Sequence, residues 1–351
     1  MTLPRAALIF LVLYSALFAF AGFFATADPA AIDASLPYLP PEGIRFTSPA
    51  GQFHLRPYLV RPRPVPGQFA VYTRQDAAFI PLRFLVTASS ADTAVDASPG
   101  NLHLCGISGG APHFLGTDEF GRDVWSRLLY GGRTTLAIGL TASLAASLLA
   151  LAVGLIAGSA APWVDTLLMR LVETMISVPW FYLLLAVRAL LPLRVSPWVA
   201  VAASTALMAA IGWARPARIL RGVTIATHRR AYVTMARATG ASPWQIARWH
   251  TLPDLAPQTL TQFTVLLPQF IASEVALSYL GLGVTEPLVS WGVMLAAAQH
   301  LSTFVEYPWL ISPIWTMIPF FFSVHVLADR ASSLRPLTLP SLSRHWYKLP
   351  R

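Results

Sequence analysis

The stretch RRAYVTMARATGASPWQIARWHTLP, residues 229–253, is rich in arginine, is punctuated by Gly240, Pro243 and Pro253, and lies between two long apolar runs. Its first half is built of good helix formers and ends at Gly240, a residue free to take the left-handed backbone that closes a helix. Ser242 then stands where an N-cap belongs, Pro243 takes the first helical position, and Gln245 completes a capping box. The second helix is expected to run to about Leu252 and stop at Pro253. The pattern predicts a rigid helix–Gly–helix knob of the kind another protein can grip. An ordinary solvated loop of this size seldom carries both caps.

The flanking runs say what the knob projects from. Of 351 residues, 55% are hydrophobic and 12% charged, with mean hydropathy +0.56. Soluble domains carry about 25% charged residues. Six apolar spans are predicted, at about 6–26, 134–159, 166–191, 197–214, 257–282 and 308–328. The third contains Pro179, the fifth Pro268, and the sixth Pro313 and Pro319. Prolines are tolerated where neighbours satisfy the freed carbonyls, so bent helices around a cavity are expected. The fold class is an all-α polytopic membrane protein. The first span, within residues 1–27, supports two readings: a membrane anchor, or a signal peptide with an A-x-A site at 25–27.

Orientation follows from arginine placement. The segment 215–256 carries Arg215, Arg218, Arg221, Arg229, Arg230, Arg237 and Arg248, whereas 283–307 has no Lys or Arg and carries Glu286 and Glu306. The first is therefore expected in the cytoplasm and the second outside. The tail, 336–351, with Arg344, Lys348 and Arg351, falls inside, so both termini are cytoplasmic if the first span is retained. The net charge of +9 is accounted for by this topology and is no sign of nucleic acid. Cys105 is the sole cysteine, which excludes an internal disulfide and a Cys-rich metal site. No metal or other cofactor is expected.

Residues 28–112 are rich in proline and contain short runs, QFAVYT and PLRFLV, that read as strands. A small β-containing external insertion is expected, serving either as a contact surface for an extracytoplasmic partner or as a passive cap. GISGG, 106–110, fits G-x-S-x-G, but Gly109, Gly110 and Pro112 follow Ser108 where a nucleophile elbow needs a helix. No catalytic residue is assigned. No G-x-x-x-x-G-K-[ST] occurs, so the chain carries no P-loop of its own.

In HFLGTDEFGRDVWSRLLYGGRTTL, 113–136, Thr117 is placed to cap a short helix with Asp118 and Glu119 in its first turn. Val124, Trp125, Leu128 and Leu129 recur at helical spacing opposite Arg122, Asp123 and Arg127, predicting an interfacial amphipathic segment over 113–133. Nearly residue for residue, this stretch resembles the segment before the core of the dipeptide/oligopeptide permeases, the inner-membrane subunits of binding-protein-dependent ABC importers. Gly116, Thr117, Asp118, Gly121, Arg122 and Asp123 carry the likeness, which covers about 113–335.

The resemblance implies a core of five helices over 134–335 and an ATPase-coupling EAA loop at the knob. The triplet then falls on Thr234, Met235 and Ala236, the glycine on Gly240, and the closing Leu-Pro on Leu252 and Pro253, with Ser242 and Pro243 starting the second helix. Thr234, Met235 and His250 depart from the usual Glu, Ala and Ile. A lost exposed carboxylate removes an ion pair worth about 0–1 kcal/mol, which tunes coupling without abolishing it. EVALSYLGLGVTEPLVSWGVML resembles a second family signature. Through it Glu274, Gly281, Gly283 and Trp291 become candidates for the path or its outer gate. Glu173, with Arg170 one turn before it, reads as a structural ion pair.

The implied partners are a homologous permease, ABC ATPase subunits, an extracytoplasmic solute-binding protein, a peptide substrate and membrane lipids, in a bacterial inner membrane. Two alternatives stay open on the residues alone: a secondary transporter, though no inverted repeat is found, and a non-transporting membrane scaffold.

Overall fold

The computed structural model describes residues 3–48, 52–87, 102–108, 110–190 and 196–333. Arg335, Gly109 and the tail 336–351 lie outside the described residues. Helix α1, Leu3–Ala19, and the short α2, Ala21–Phe24, lead into the β insertion. Helix α3, Val124–Ser159, contains no proline over its 36 residues and spans ~54 Å at 1.5 Å per residue. Pro162 then starts α4, Pro162–Ser177.

The two sharp bends that follow each have a proline at them. Pro179 pushes Val178 into extended backbone, and α5, Trp180–Leu190, leaves α4 at 86°. Helix α6, Pro197–Gly212, meets α7, Ala214–His228, at 42°. There Pro216 has no N–H for the carbonyl of Gly212. The knob follows as α8, Ala231–Ala238, and α9, Pro243–Ile246. A π-helical segment, Ala247–Thr251, carries α9 into α10, Leu252–Tyr279. Short helices α11, Trp291–Ala296, and α12, Leu301–Glu306, precede a 3-10 turn, Pro308–Ile311, and α13, Ser312–Ser333.

Among the described residues, three helices are long and apolar enough to cross a membrane, and the two bent pairs bring the number to five. Helix α1, at 17 residues, is a shorter apolar helix that α2 continues. The architecture is mainly helical with a small β insertion, as expected. The helices pack around α3. Gly154 and Gly158 let α7 come close: a Cβ on either would lie 2.7 Å from Leu220 Cβ or 2.5 Å from Thr224 Cβ. Arg221 donates twice to Asp165, tying α7 to α4. A second core, at the end nearer the β insertion, joins Phe18, Leu128, Leu129, Ile271, Trp291 and Phe320.

The insertion holds strands β1, Gly43–Thr47, β2, Phe53–Pro64, and β3, Tyr72–Pro81, in one antiparallel sheet, and β4, Arg83–Thr87, with β5, Leu102–Gly106, in another. PLRFLV lies largely in β4, but QFAVYT is mostly a turn before β3. Sequence patterning misses β2 because prolines interrupt it; Pro57 and Pro62 sit at its register shifts, where a missing N–H costs no ladder bond. Within the insertion Arg61 bonds Glu42 and the Ala111 carbonyl, and His103, whose Nδ1 lies 3.2 Å from the Ala25 carbonyl at the end of α2, ties the insertion to the helices. Ser108 occupies an exposed turn with no helix after it.

Two boundaries need correction. No helix begins at Thr117; residues 113–123 are turns, and the stretch from Val124 onward is the first part of α3. The expected interfacial segment 113–133 is therefore split. Val124, Leu128 and Leu129 are buried against protein, where the amphipathic pattern suggested lipid. Nor does Pro253 stop a helix, since Pro243–Tyr279 runs through as 37 residues. The π-helical turn sets the Leu252 N–H on the Ala247 carbonyl and places Pro253 at the start of a new α segment, where no donor is missed.

Candidate functional site

The knob is built as its caps require. Gly240 takes φ +87°, its N–H donates to the Arg237 carbonyl at 3.0 Å, and the Ala241 N–H donates to the Ala236 carbonyl at 3.0 Å. These two bonds form a Schellman closure. Across the turn, the Ser242 hydroxyl accepts from the Gln245 N–H at 3.3 Å, and Gln245 Oε1 accepts from the Ser242 N–H at 2.7 Å. Val233 and Ile246 face inward and are buried. Met235, Trp244 and Trp249 are each about two-thirds exposed, at 65%, 66% and 67%. Three large apolar side chains left open on so small a structure mark a surface made to be covered.

Of the remaining predicted loop residues, Thr234 is exposed, with its hydroxyl donating back to the Arg230 carbonyl at 3.3 Å, and Ala236 is half-buried. His250, in the usual isoleucine position, lies beside the Tyr232 ring with centroids 5.6 Å apart. Sequence reasoning missed Asp254. Its carboxylate accepts from the Thr227 hydroxyl at 3.0 Å and the Tyr232 hydroxyl at 2.6 Å, and Arg230 lies 3.1 Å away. This carboxylate ties α8 to α7 and to the base of α10. Burial, and then the bond donated to Asp254, push the Tyr232 hydroxyl above the ordinary tyrosine range.

At the opposite end, the signature over 116–123 forms a clasp. Gly116 and Gly121 have φ +73° and +74°, and a Cβ on them would come within 2.2 Å of the Leu39 carbonyl oxygen and 1.8 Å of that of Asp33. Only glycine fits either place. Thr117 is fully buried: its hydroxyl donates to the Leu36 carbonyl at 2.5 Å and accepts from the Leu39 N–H at 2.8 Å. Asp118 accepts from Arg122 Nε at 2.7 Å and has Arg127 Nε at 3.6 Å. Glu286, from the loop after α10, receives Arg122 at 3.0 Å and Arg127 at 2.7 Å. Asp123, not Thr117, is the helix cap: it accepts from the Ser126 N–H at 2.7 Å and the Thr26 hydroxyl at 3.0 Å, with His113 Nδ1 at 2.9 Å.

Beneath the clasp, Glu274 is 1% exposed. It does not line an open cavity in this conformation. Its Oε1 accepts from the Ser278 hydroxyl at 2.7 Å, and the Thr135 and Ser290 hydroxyls lie around it. Trp291 is fully buried, with its indole N–H on the Leu128 carbonyl at 3.1 Å and its backbone N–H on the Thr135 hydroxyl at 3.2 Å. Helix α11 thus folds back against α10 and α3. Gly281 is the exposed turn that permits this, at φ +73°, and Gly283 is wedged against Ser278. Glu173 is exposed, with Arg170 3.7 Å away. A cavity of about 180 Å³ lies at the helix elbows instead, with Trp180, Arg215, Gln262 and Gln269 in its wall.

The predicted residues therefore fall into three groups: knob, clasp and sealed carboxyl, with α10 joining the first to the last. The sequence model of a family described as the binding-protein-dependent transport system inner membrane component matches residues 150–333. The dipeptide transport system permease protein DppC of Bacillus subtilis is 34% identical over 221 residues, which is 62% of this chain and 67% of the relative. A putative peptide transport system permease protein of Brucella suis is 36% identical over 205 residues, 58% of this chain and 65% of the relative. The DppC of Alkalihalophilus pseudofirmus is 32% identical over 237 residues, 67% of this chain and 72% of the relative.

Proposed function

The chain belongs to the binding-protein-dependent transport system inner membrane components, and from that premise we propose that it is the permease subunit of an ATP-driven peptide importer. It is a multi-pass membrane transport component. In this reading it pairs with a homologous permease, a solute-binding protein delivers the peptide from outside, and separate ATPase subunits supply the energy. Peptide as substrate is carried by the names of the relatives. The knob lies in the cytoplasm with both termini, and the clasp faces outward.

The observation that carries the reading is the knob itself. It is capped at both inner ends, tied down by Asp254 and left uncovered at Met235, Trp244 and Trp249. Such a surface fits a groove on an ATPase subunit. Closure of the ATPases around ATP then favours the outward-open state, because only differential binding to two states moves their balance. The sealed carboxyl and α11 act as the outer gate beside the clasp.

The test is affinity purification of the tagged chain in mild detergent, wild type beside Gly240→Arg. A second permease and a P-loop ATPase should accompany the wild type, and the variant should lose the ATPase alone. A wild type that comes down without an ATPase overturns the reading.

A further inference from the structure

An apolar groove of about 460 Å³ lies between α1, α3, α10 and α13, and no part of the transport reading uses it. Its walls include Leu11, Phe18, Leu140, Leu267 and Phe320, and its single charged member is Arg133. The geometry has a direction. Arg133 stands at the head of the apolar run of α3, and Leu140 lies seven residues deeper, ~10 Å along the axis. Ala19 and Leu11 bracket the groove in the same sense on α1, eight residues or ~12 Å apart. On the orientation proposed above, the charge sits at the outer membrane surface and the groove descends from it into the hydrocarbon. Arg133 is exposed and has no hydrogen bond or ion pair with any described residue.

We infer that this groove is a phospholipid site of the outer leaflet, in which Arg133 holds the phosphate and one acyl chain lies along Leu136, Ala137 and Leu140. A guanidinium is matched to a phosphate in shape and charge, and its donors are all available here. The wall below it offers an acyl chain only carbon and the Ser15 hydroxyl. A transmembrane helix of another protein would leave the guanidinium unpaired at its edge, whereas a phospholipid covers both charge and groove.

The experiment is native mass spectrometry of the full chain, purified with its co-purifying subunits and titrated with palmitoyl-oleoyl phosphatidylglycerol. The diacylglycerol of the same chains serves as the headgroup-free probe. Wild type should retain one phosphatidylglycerol. Arg133→Gln should weaken it about fivefold, equivalent to the ~1 kcal/mol an arginine supplies near an anionic surface. Arg218→Gln, an exposed arginine on α7, should leave binding unchanged. Ala137→Trp, which fills the groove below the charge, should displace the lipid. Equal affinity for the two probes, or equal loss in both arginine variants, overturns the site. So does an Ala137→Trp chain that keeps its lipid and sheds the second permease, for the groove would then seat a helix. If Ala137→Trp does not assemble, the two probes on Arg133→Gln decide alone.

Discussion

Gly240 offers a way to separate the shape of the knob from its docking. Its φ of +87° is left-handed, and a Cβ built there meets nothing within 4 Å. Any ordinary L residue therefore carries the backbone penalty, about 1–2 kcal/mol, and no steric penalty within the chain. That cost shifts the local balance between closed and opened turn by a factor of roughly 5–30. Asn tolerates this conformation better than Ala. Ala and Arg meet the same backbone cost, so any further loss in the Arg variant originates outside the chain. Reconstituted with its partners in liposomes, Gly240→Asn should import labelled dipeptide nearly as well as wild type. Gly240→Ala should be reduced severalfold, and Gly240→Arg should be inactive while remaining folded and bound to the second permease. Equal rates for Ala and Arg would refute the reasoning, because strain alone would then explain the loss. Full activity in the Arg variant would show that the turn touches no ATPase.

The clasp gives an ordered pair. Asp118→Asn leaves the buried Arg127 and the half-buried Arg122 with Glu286 as their one remaining carboxylate and should destabilise by about 3–5 kcal/mol, whereas Glu286→Gln, with the carboxylate 44% exposed, should cost under ~1 kcal/mol; thermal unfolding in detergent ranks them, and the reverse order contradicts the geometry. Burial first, then the Asp123 carboxylate, push the Cys105 thiol up to about 11, so almost no thiolate exists at neutral pH. A maleimide should label Cys105 only after denaturation, and rapid labelling of the native protein would mean that β5 is not packed as described. Deleting His250 from the π-helical turn should restore a regular helix and rotate Trp244 by ~100° about α10. Uptake should be lost in the deletion and kept in His250→Ile; a deletion that still imports would show that this register is not used.

What the sequence discloses about the knob is local. A Schellman closure and a capping box are set by residues within six positions of each other, and both appear where the spacing predicts. The clasp is different. Glycines 116 and 121 announce tight turns, but Arg127 meets Glu286 across 159 positions, and no local pattern encodes that. Thr117 and Asp123 each have the chemistry of an N-cap. Asp123 takes the role because Gly121 is pressed against Asp33 in a left-handed turn that no helix can include. The amphipathic face of Val124, Leu128 and Leu129 is read correctly as helical, but periodicity alone cannot tell whether such a face meets lipid or protein. It meets Phe18 and Trp291. The Asp254 tie escapes for the same reason as the clasp: its partners are 22 to 27 residues away.

The continuity of Pro243–Tyr279 constrains how the two ends communicate. At 1.5 Å per residue its 37 residues span ~55 Å, from the capping box of the knob to the turn beyond Glu274. Pro257 and Pro268 lie inside it and leave the carbonyls of Pro253 and Thr264 without helical donors, so the rod has two soft points and no break. Displacement of the knob therefore reaches Glu274 as tilt or rotation of a single element. The resistance is at the end away from the knob, where Glu274 of α10 meets the Thr135 hydroxyl of α3 and the Ser290 hydroxyl at the head of α11, the Trp291 N–H of α11 donates to Thr135, and Arg122 and Arg127 hold Glu286 of the loop after α10. If ATP binding opens the outer side, its energy is spent against these ties. Weakening them, as Glu286→Gln does, should then raise outward opening at low ATP before it harms the fold.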